Sequence, residues 1–217
     1  MERIYYIAAF LCLPFSYFSQ CDCSDCPISV DNSSDISTID ISGASNGTLD
    51  VNGQQVCQIC LQLTSDAIEE FNATIIAPDG SSIDLIIDTG ISLNQNSNFN
   101  ICFVSCDQSA NPDSGTSSTF DSNSGYAANG TYNGSYYPAD GNCLEDLTGP
   151  VDGDWDLIIE DVFIIAPNIL LGWDISFADD TGLNCVNPGS CGNPTSCLAE
   201  GGDLDAAPIN VCVGDSD

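Results

Sequence analysis

The chain has 217 residues, with 32 Asp or Glu against a single Lys or Arg and no His, for a formal net charge of −31 at pH 7. Nucleic-acid affinity is built mainly from Lys and Arg neutralising phosphates, so DNA and RNA are excluded as partners. Ser-His-Asp, Cys-His and Ser-Lys catalysis is excluded as well, because each needs a base to take the nucleophile's proton. With Arg3 as the sole cationic side chain, self-repulsion is left to salt or divalent cations to screen.

Residues 1–19 carry Arg3, an apolar run from Ile4 to Phe18 broken by Pro14, and then Ser19. That pattern reads as a secretory signal peptide. No later apolar run approaches the roughly 20 residues a membrane helix needs. The expected product is not transmembrane, and is secreted or held at the cell surface. Phe18-Ser19-Gln20-Cys21 matches a lipoprotein cleavage box only loosely, because Gln20 stands where a small residue is wanted.

Of 13 cysteines, Cys12 lies in this leader and the remainder is even, which in an exported chain reads as disulfides. Thiolate metal ligation through Cys21, Cys23 and Cys26, or through Cys57 and Cys60, is the alternative. A thioredoxin-like role for Cys57 and Cys60 conflicts with their position, since that motif belongs at a helix N-terminus and this one lies in a strand pattern.

Residues 20–34, rich in Cys, Asp and Ser, read as a disulfide-tied lead-in. Strand patterns follow at 38–41, 56–63, 73–77, 83–87, 99–104, 155–161 and 169–177, with Pro-Asp-Gly and Asn-Gly turn signals between several of them. Helical periodicity is confined to one turn within 64–71, with Ser65 or Asp66 as cap and Glu69 and Glu70 in its first turn. Seven or more short strands so spaced predict an all-β fold, an antiparallel β-sandwich or jelly roll of about seven to nine strands over residues 35–180. The Ser, Gly, Asn and Asp rich tract at 107–137 is too long for a structureless loop in a compact domain. It holds Tyr126, Tyr132, Tyr136 and Tyr137.

The tract is followed by two Trp-centred strands. In 153–161, Trp155, Leu157 and Ile159 alternate with Asp156 and Glu160. In 170–177, Leu171, Trp173, Ile175 and Phe177 alternate with Gly172, Asp174 and Ser176. Period two gives each strand one buried face, and Trp155, Leu157, Ile159, Trp173, Ile175 and Phe177 are the expected core. Residues 181–196 read as a Cys, Gly and Pro punctuated linker. Residues 197–217 resemble the opening of an immunoglobulin-like module of large secreted bacterial surface proteins, which implies a continuation into further such modules.

Together, ATIIAPDGS at 73–81, SIDLIID at 82–88, GSYYP at 134–138, GDWDLIIED at 153–161 and the strand from Leu171 to Phe177 resemble the P-domain, or P/Homo B domain, of proprotein convertases. The resemblance covers roughly residues 35–178. It implies a galactose-binding-like β-sandwich associated with serine proteolysis. Where that family commonly carries a His after its early strand, this chain has Thr64, so any role of that His is absent. The family's module also follows a protease domain, whereas this one directly follows a signal peptide.

Other chemistry rests on short signals. Asp88-Thr89-Gly90 matches the Asp-Thr-Gly of aspartic proteases, whose two Asp residues share a proton. Ile91 replaces the usual Ser or Ala, and no second copy occurs. Asp152, Asp154 and Asp156 form a calcium candidate, and Asp66, Glu69 and Glu70 lie together earlier; neither has EF-hand spacing. Tyr126, Tyr132 and Tyr136 are candidate glycan-stacking contacts, although Tyr136 also fits the P-domain's Gly-x-Tyr-x-Pro. Sequons at Asn32, Asn46, Asn72, Asn129 and Asn133 are as frequent as chance gives in such a composition.

The expected function is that of a non-catalytic stabilising or recognition module of an extracellular or cell-surface protein. It requires no cofactor, calcium being an optional structural ligand, and its partner is an extracellular protein or glycan. Attachment as an accessory domain to a subtilisin-like protease is the alternative, and a carbohydrate-binding jelly roll is the second.

Overall fold

The computed structural model describes residues 23–178, apart from 45–46, 50–54, 91–95, 124–125 and 164–166, together with the backbone of four short strands beyond them. The structure is mostly β. In chain order the strands are β1 (Ile28–Val30), β2 (Ser33–Ser42), β3 (Thr48–Leu49), β4 (Val56–Ser65), β5 (Phe71–Ile76), β6 (Ser82–Ile86), β7 (Ser97–Val104) and β8 (Thr131–Tyr136). They continue with β9 (Gly149–Pro150), β10 (Gly153–Asp161), β11 (Asn168–Ala178), β12 (Cys185–Val186), β13 (Ser190–Cys191), β14 (Gly202–Leu204) and β15 (Ala207–Ile209).

One sheet has the order β1-β11-β4-β7-β8, with β12 pairing the end of β11, and the other has the order β13-β2-β10-β5-β6. Two small pairs, β3 with β9 and β14 with β15, stand apart from them. The central strands obey the period-two rule: Trp155, Leu157 and Ile159 of β10 and Trp173, Ile175 and Phe177 of β11 are all buried. These inward rows meet those of β4, β5 and β7 to form one apolar interior between the two sheets, the all-β sandwich that the strand spacing predicts. The Trp155 ring lies edge-on to Phe177 of the facing sheet at 5.3 Å between centroids. Buried indole N–H groups require acceptors, and both have one: Trp155 Nε1 donates to Val151 O at 2.9 Å, and Trp173 Nε1 donates to Ser37 Oγ at 2.8 Å.

The structure departs from the sequence reading in several places. The sandwich takes in the lead-in rather than starting at residue 35. β1 pairs with β11, and the Cys23 N–H donates to Trp173 O at 3.0 Å. β1 is too short for its alternation to be recognised before its partner is known.

The pairing of β7 with β8 is parallel, unlike the other ladders. A parallel neighbour needs a long crossover, and the tract after β7 supplies it. β8 itself, Thr-Tyr-Asn-Gly-Ser-Tyr, lacks the apolar run that announces a strand.

The helical signal at 64–71 shrinks to a 3₁₀ turn at Ile68–Glu70 with no side-chain cap. Thr64 and Ser65 stay in β4, and the turn carries the chain from one sheet to the other across the end of the core. By contrast, the Pro-Asp-Gly signal makes the β5–β6 turn. Asp79 accepts from Ser81 N at 2.9 Å and from Thr148 Oγ1 at 2.8 Å, which holds its carboxyl below the ordinary range.

The described residues contain the disulfides Cys23–Cys26, Cys60–Cys102 and Cys106–Cys143. Cys60 and Cys102 oppose each other across β4 and β7. Cys57 is disulfide-bonded as well. Cys23, Cys26, Cys57 and Cys60 are therefore not free thiolates in this structure, and Cys21 lies outside the described residues. No helix among the described residues is long and apolar enough to cross a membrane.

Candidate functional site

The tyrosines form packing rather than a platform. β8 lies in register with β7, so Phe99 pairs with Tyr132 and Phe103 with Tyr136 on the inward face. Tyr126 and Phe120, from the crossover, close over them. Tyr126 and Tyr136 are buried, and Tyr132 is half-buried against Phe99 and Tyr126. Ring faces turned inward cannot stack on a sugar, so the glycan-contact expectation for Tyr126 and Tyr136 is corrected.

The Tyr136 hydroxyl instead accepts from Asp113 N at 3.1 Å and lies 3.2 Å from Thr116 Oγ1, organising the crossover. Ser122 Oγ donates to Ile87 O at 2.8 Å and meets Thr89 Oγ1 at 2.8 Å. The tract thus spans from β8 to the end of β6 and seals one side of the sandwich. Gly134 permits this: its φ is +110°, and a Cβ there would stand 2.5 Å from Asn111 O.

Asp152, Asp154 and Asp156 do not converge. Asp152 accepts from the N–H groups of Gly43 and Ala44 at 3.0 and 2.9 Å, tying down the chain after β2. Asp154 lies opposite Asp40 across the β2–β10 ladder. Asp156 accepts from Thr38 Oγ1 at 2.6 Å. Side chains two apart on a strand share a face but spread along it. The other early group also divides: Asp66 and Glu69 are half-buried, while Glu70 is fully buried.

Asp88 ends its strand in a turn, accepting from Gly90 N at 2.9 Å, while its own N–H donates to Asn72 Oδ1 at 2.6 Å. The Asp-Thr-Gly there is used as turn chemistry.

Among the described residues, Cys23/Asp25/Cys26 and Cys106/Cys143/Glu145 bring three Cys, Asp or Glu ligand atoms within 4.8 Å of one another. In both groups the cysteines are spent in disulfides, so neither keeps a thiolate ligand.

The second group borders a cleft of about 480 Å³ floored by Leu49, Val56, Leu144 and Leu147. Glu145 at its rim accepts from Ser105 Oγ at 2.5 Å and from the N–H groups of Cys106 and Asp107 at 3.1 and 3.0 Å. Burial alone would raise its pKa, but these donors outweigh it and hold the carboxyl below its ordinary value.

A scan against protein-family models finds no match, and a search of curated proteins finds none either. Among solved structures the chain is similar to the serine protease of Aeromonas sobria, determined alone and in complex with a chaperone. Both comparisons give 12% identity and a TM-score of 0.31 over 69% of this chain, which spans about a quarter of the protease's length (26%). A likeness of that size transfers neither activity nor residue roles.

Sequence reasoning missed a polar cluster at one end of the interior. The inward rows of β4, β10 and β11 end there in Ser65, Asp161 and Asn168, and Glu70 enters from the 3₁₀ turn; all four are buried. Asn168 Nδ2 donates to Asp161 Oδ2 at 2.7 Å across the two sheets, and Phe163 N donates to Asp161 Oδ1 at 3.0 Å. Both Glu70 carboxylate oxygens, Asn168 Oδ1 and Ser65 Oγ have no hydrogen-bond partner. Burial first, then the neighbouring carboxylates of Asp161, Asp88 and Glu69, raise the Glu70 pKa above 4.5. The available signal was a polar residue closing three apolar alternations at the same end, visible only once strand register is known.

Proposed function

We propose that this chain is a non-catalytic, secreted module resembling the P-domain, which stabilises or recognises other parts of a larger extracellular protein. One observation supports this reading above the rest. The residues that carry the resemblance sit where a sandwich needs them: Trp155 and Trp173 lie in the interior on opposite sheets, and Tyr136 of the Gly-x-Tyr-x-Pro segment pins the crossover. They are spent on architecture. The absence of His and Lys from the sequence supports the non-catalytic part, because the proteolytic mechanisms tied to this family need such a base.

Two measurements test it. The purified chain, incubated with a fluorescent protein substrate between acid and neutral pH, should release no product; hydrolysis abolished by Asp88→Asn would overturn the reading in favour of carboxylate catalysis. Deleting residues 23–178 from the complete gene product should lower the secreted yield or melting temperature of what remains. An unchanged yield and melting temperature would contradict a stabilising role. An Asp-His-Ser catalytic domain in the same reading frame would move the assignment to a protease accessory domain.

A further inference from the structure

Buried polar atoms in folded proteins are nearly always paired, and an ionised carboxylate is the costliest to leave alone. The end of the sandwich at Glu70 breaks this rule four times over, with both Glu70 oxygens, Asn168 Oδ1 and Ser65 Oγ unpartnered. All are acceptors or, for the hydroxyl, can act as one. No Lys or His exists in the chain to answer them, and the single Arg is Arg3, far from this sequence region. A proton on Glu70 would supply one donor, yet it would leave the remaining acceptors unanswered.

We propose that this end of the interior is a binding site for one hard divalent cation of the calcium class, with Glu70, Asp161 and Asn168 Oδ1 as side-chain donors. Two carboxylates balance the two positive charges, and the amide supplies a neutral oxygen of the kind calcium accepts. The Asn168–Asp161 hydrogen bond at 2.7 Å fixes the amide so that its oxygen, not its nitrogen, is left for the ion. Calcium tolerates six to eight oxygens in irregular geometry, whereas magnesium demands an octahedron and sheds water reluctantly, so an irregular donor set buried inside a sandwich suits calcium better. The ion joins the 3₁₀ turn before β5, the end of β10 and the start of β11, tying the two sheets together at this end. It is distinct from Asp152, Asp154 and Asp156, and it stands whether or not the P-domain reading holds.

The full chain, produced in an oxidising host, is stripped with EDTA, desalted and titrated with calcium chloride by calorimetry, with its melting temperature followed in parallel. A saturable component of one equivalent and a melting temperature several degrees higher in calcium than in EDTA are expected, since a ligand of the native state stabilises by mass action. Glu70→Gln and Asp161→Asn should each abolish the tight component. Glu70→Gln should also melt above the wild type in EDTA, because it removes a buried unpaired charge while keeping shape. Asp152→Asn should retain the tight component. Coincident melting curves in calcium and EDTA for the wild type, or a Glu70→Gln variant that keeps the full calcium response, would overturn the site.

Discussion

The indole N–H of Trp173 on β11 donates to the hydroxyl of Ser37 on β2 at 2.8 Å, a buried hydrogen bond from one sheet of the sandwich to the other. Ser37 Oγ in turn donates to Asp25 Oδ1 at 2.6 Å, so the relay continues into the lead-in. Ser37→Ala leaves the buried indole N–H without an acceptor and should cost about 1–3 kcal/mol. Trp173→Ala adds a cavity and should cost about 3–5 kcal/mol. Chemical denaturation of both variants checks the order; equal stability of Ser37→Ala and wild type would show that the relay contributes nothing.

The Cys60–Cys102 bridge joins facing residues of β4 and β7 that are 42 positions apart in the chain. Closing a loop of that length restricts the unfolded chain, and its removal typically costs about 2–5 kcal/mol. Cys60→Ser with Cys102→Ser should therefore melt well below the wild type. A double variant that melts with the wild type would contradict the pairing.

Gly134 is required by its conformation and by its neighbour. With φ at +110° and Asn111 O in the space of a Cβ, Gly134→Ala should destabilise by more than about 1 kcal/mol. It should also increase proteolytic cutting within the crossover. Gly43, also at positive φ but with open space around it, serves as the comparison: Gly43→Ala should be milder, and equal losses would mean that the crossover does not depend on close approach.

These variants also mark what the sequence made legible. Alternation in β10 gives strand, face and core membership, because Trp, Leu and Ile repeat at period two against Asp and Glu. In β11 it holds for Trp173, Ile175 and Phe177 but misplaces Leu171, which is 48% exposed beside a register shift between Leu170 and Gly172. β8 was hidden because its inward row is Tyr132, Gly134 and Tyr136, which reads as loop until β7 lies beside it. The tyrosines read as exposed for the same reason: their burial comes from Phe120 and Tyr126 folding back from a tract whose composition is that of a linker. Glu70 belonged to an apparent acidic surface cluster, and only the crossing between sheets at Ile68–Glu70 turns it inward. Pairings of cysteines are long-range and carry no local signal, so the Cys60–Cys102 bridge could not be read from spacing.

Glu145 predicts an acid limb in the stability curve. Its carboxyl is held below its ordinary 4.5 in the fold, so the folded state binds fewer protons than the unfolded state in that region. Its contribution is present above pH 4.5 and is lost as the pH falls through the folded value. Glu145→Gln should lose about 1 kcal/mol at neutral pH, a small figure because the half-buried clasp is screened by solvent. It should also lose part of the wild type's decline below pH 4.5. Parallel curves for the two proteins across that range would mean that the clasp is not formed.

Tryptophan emission tests the central claim most directly, because the chain has two tryptophans, both buried in the sandwich. The account predicts blue-shifted emission shielded from acrylamide, which shifts to the red in a single cooperative step as the chain unfolds. Emission from either indole that is already red-shifted and freely quenched in the native protein would contradict the two-sheet core on which the rest depends.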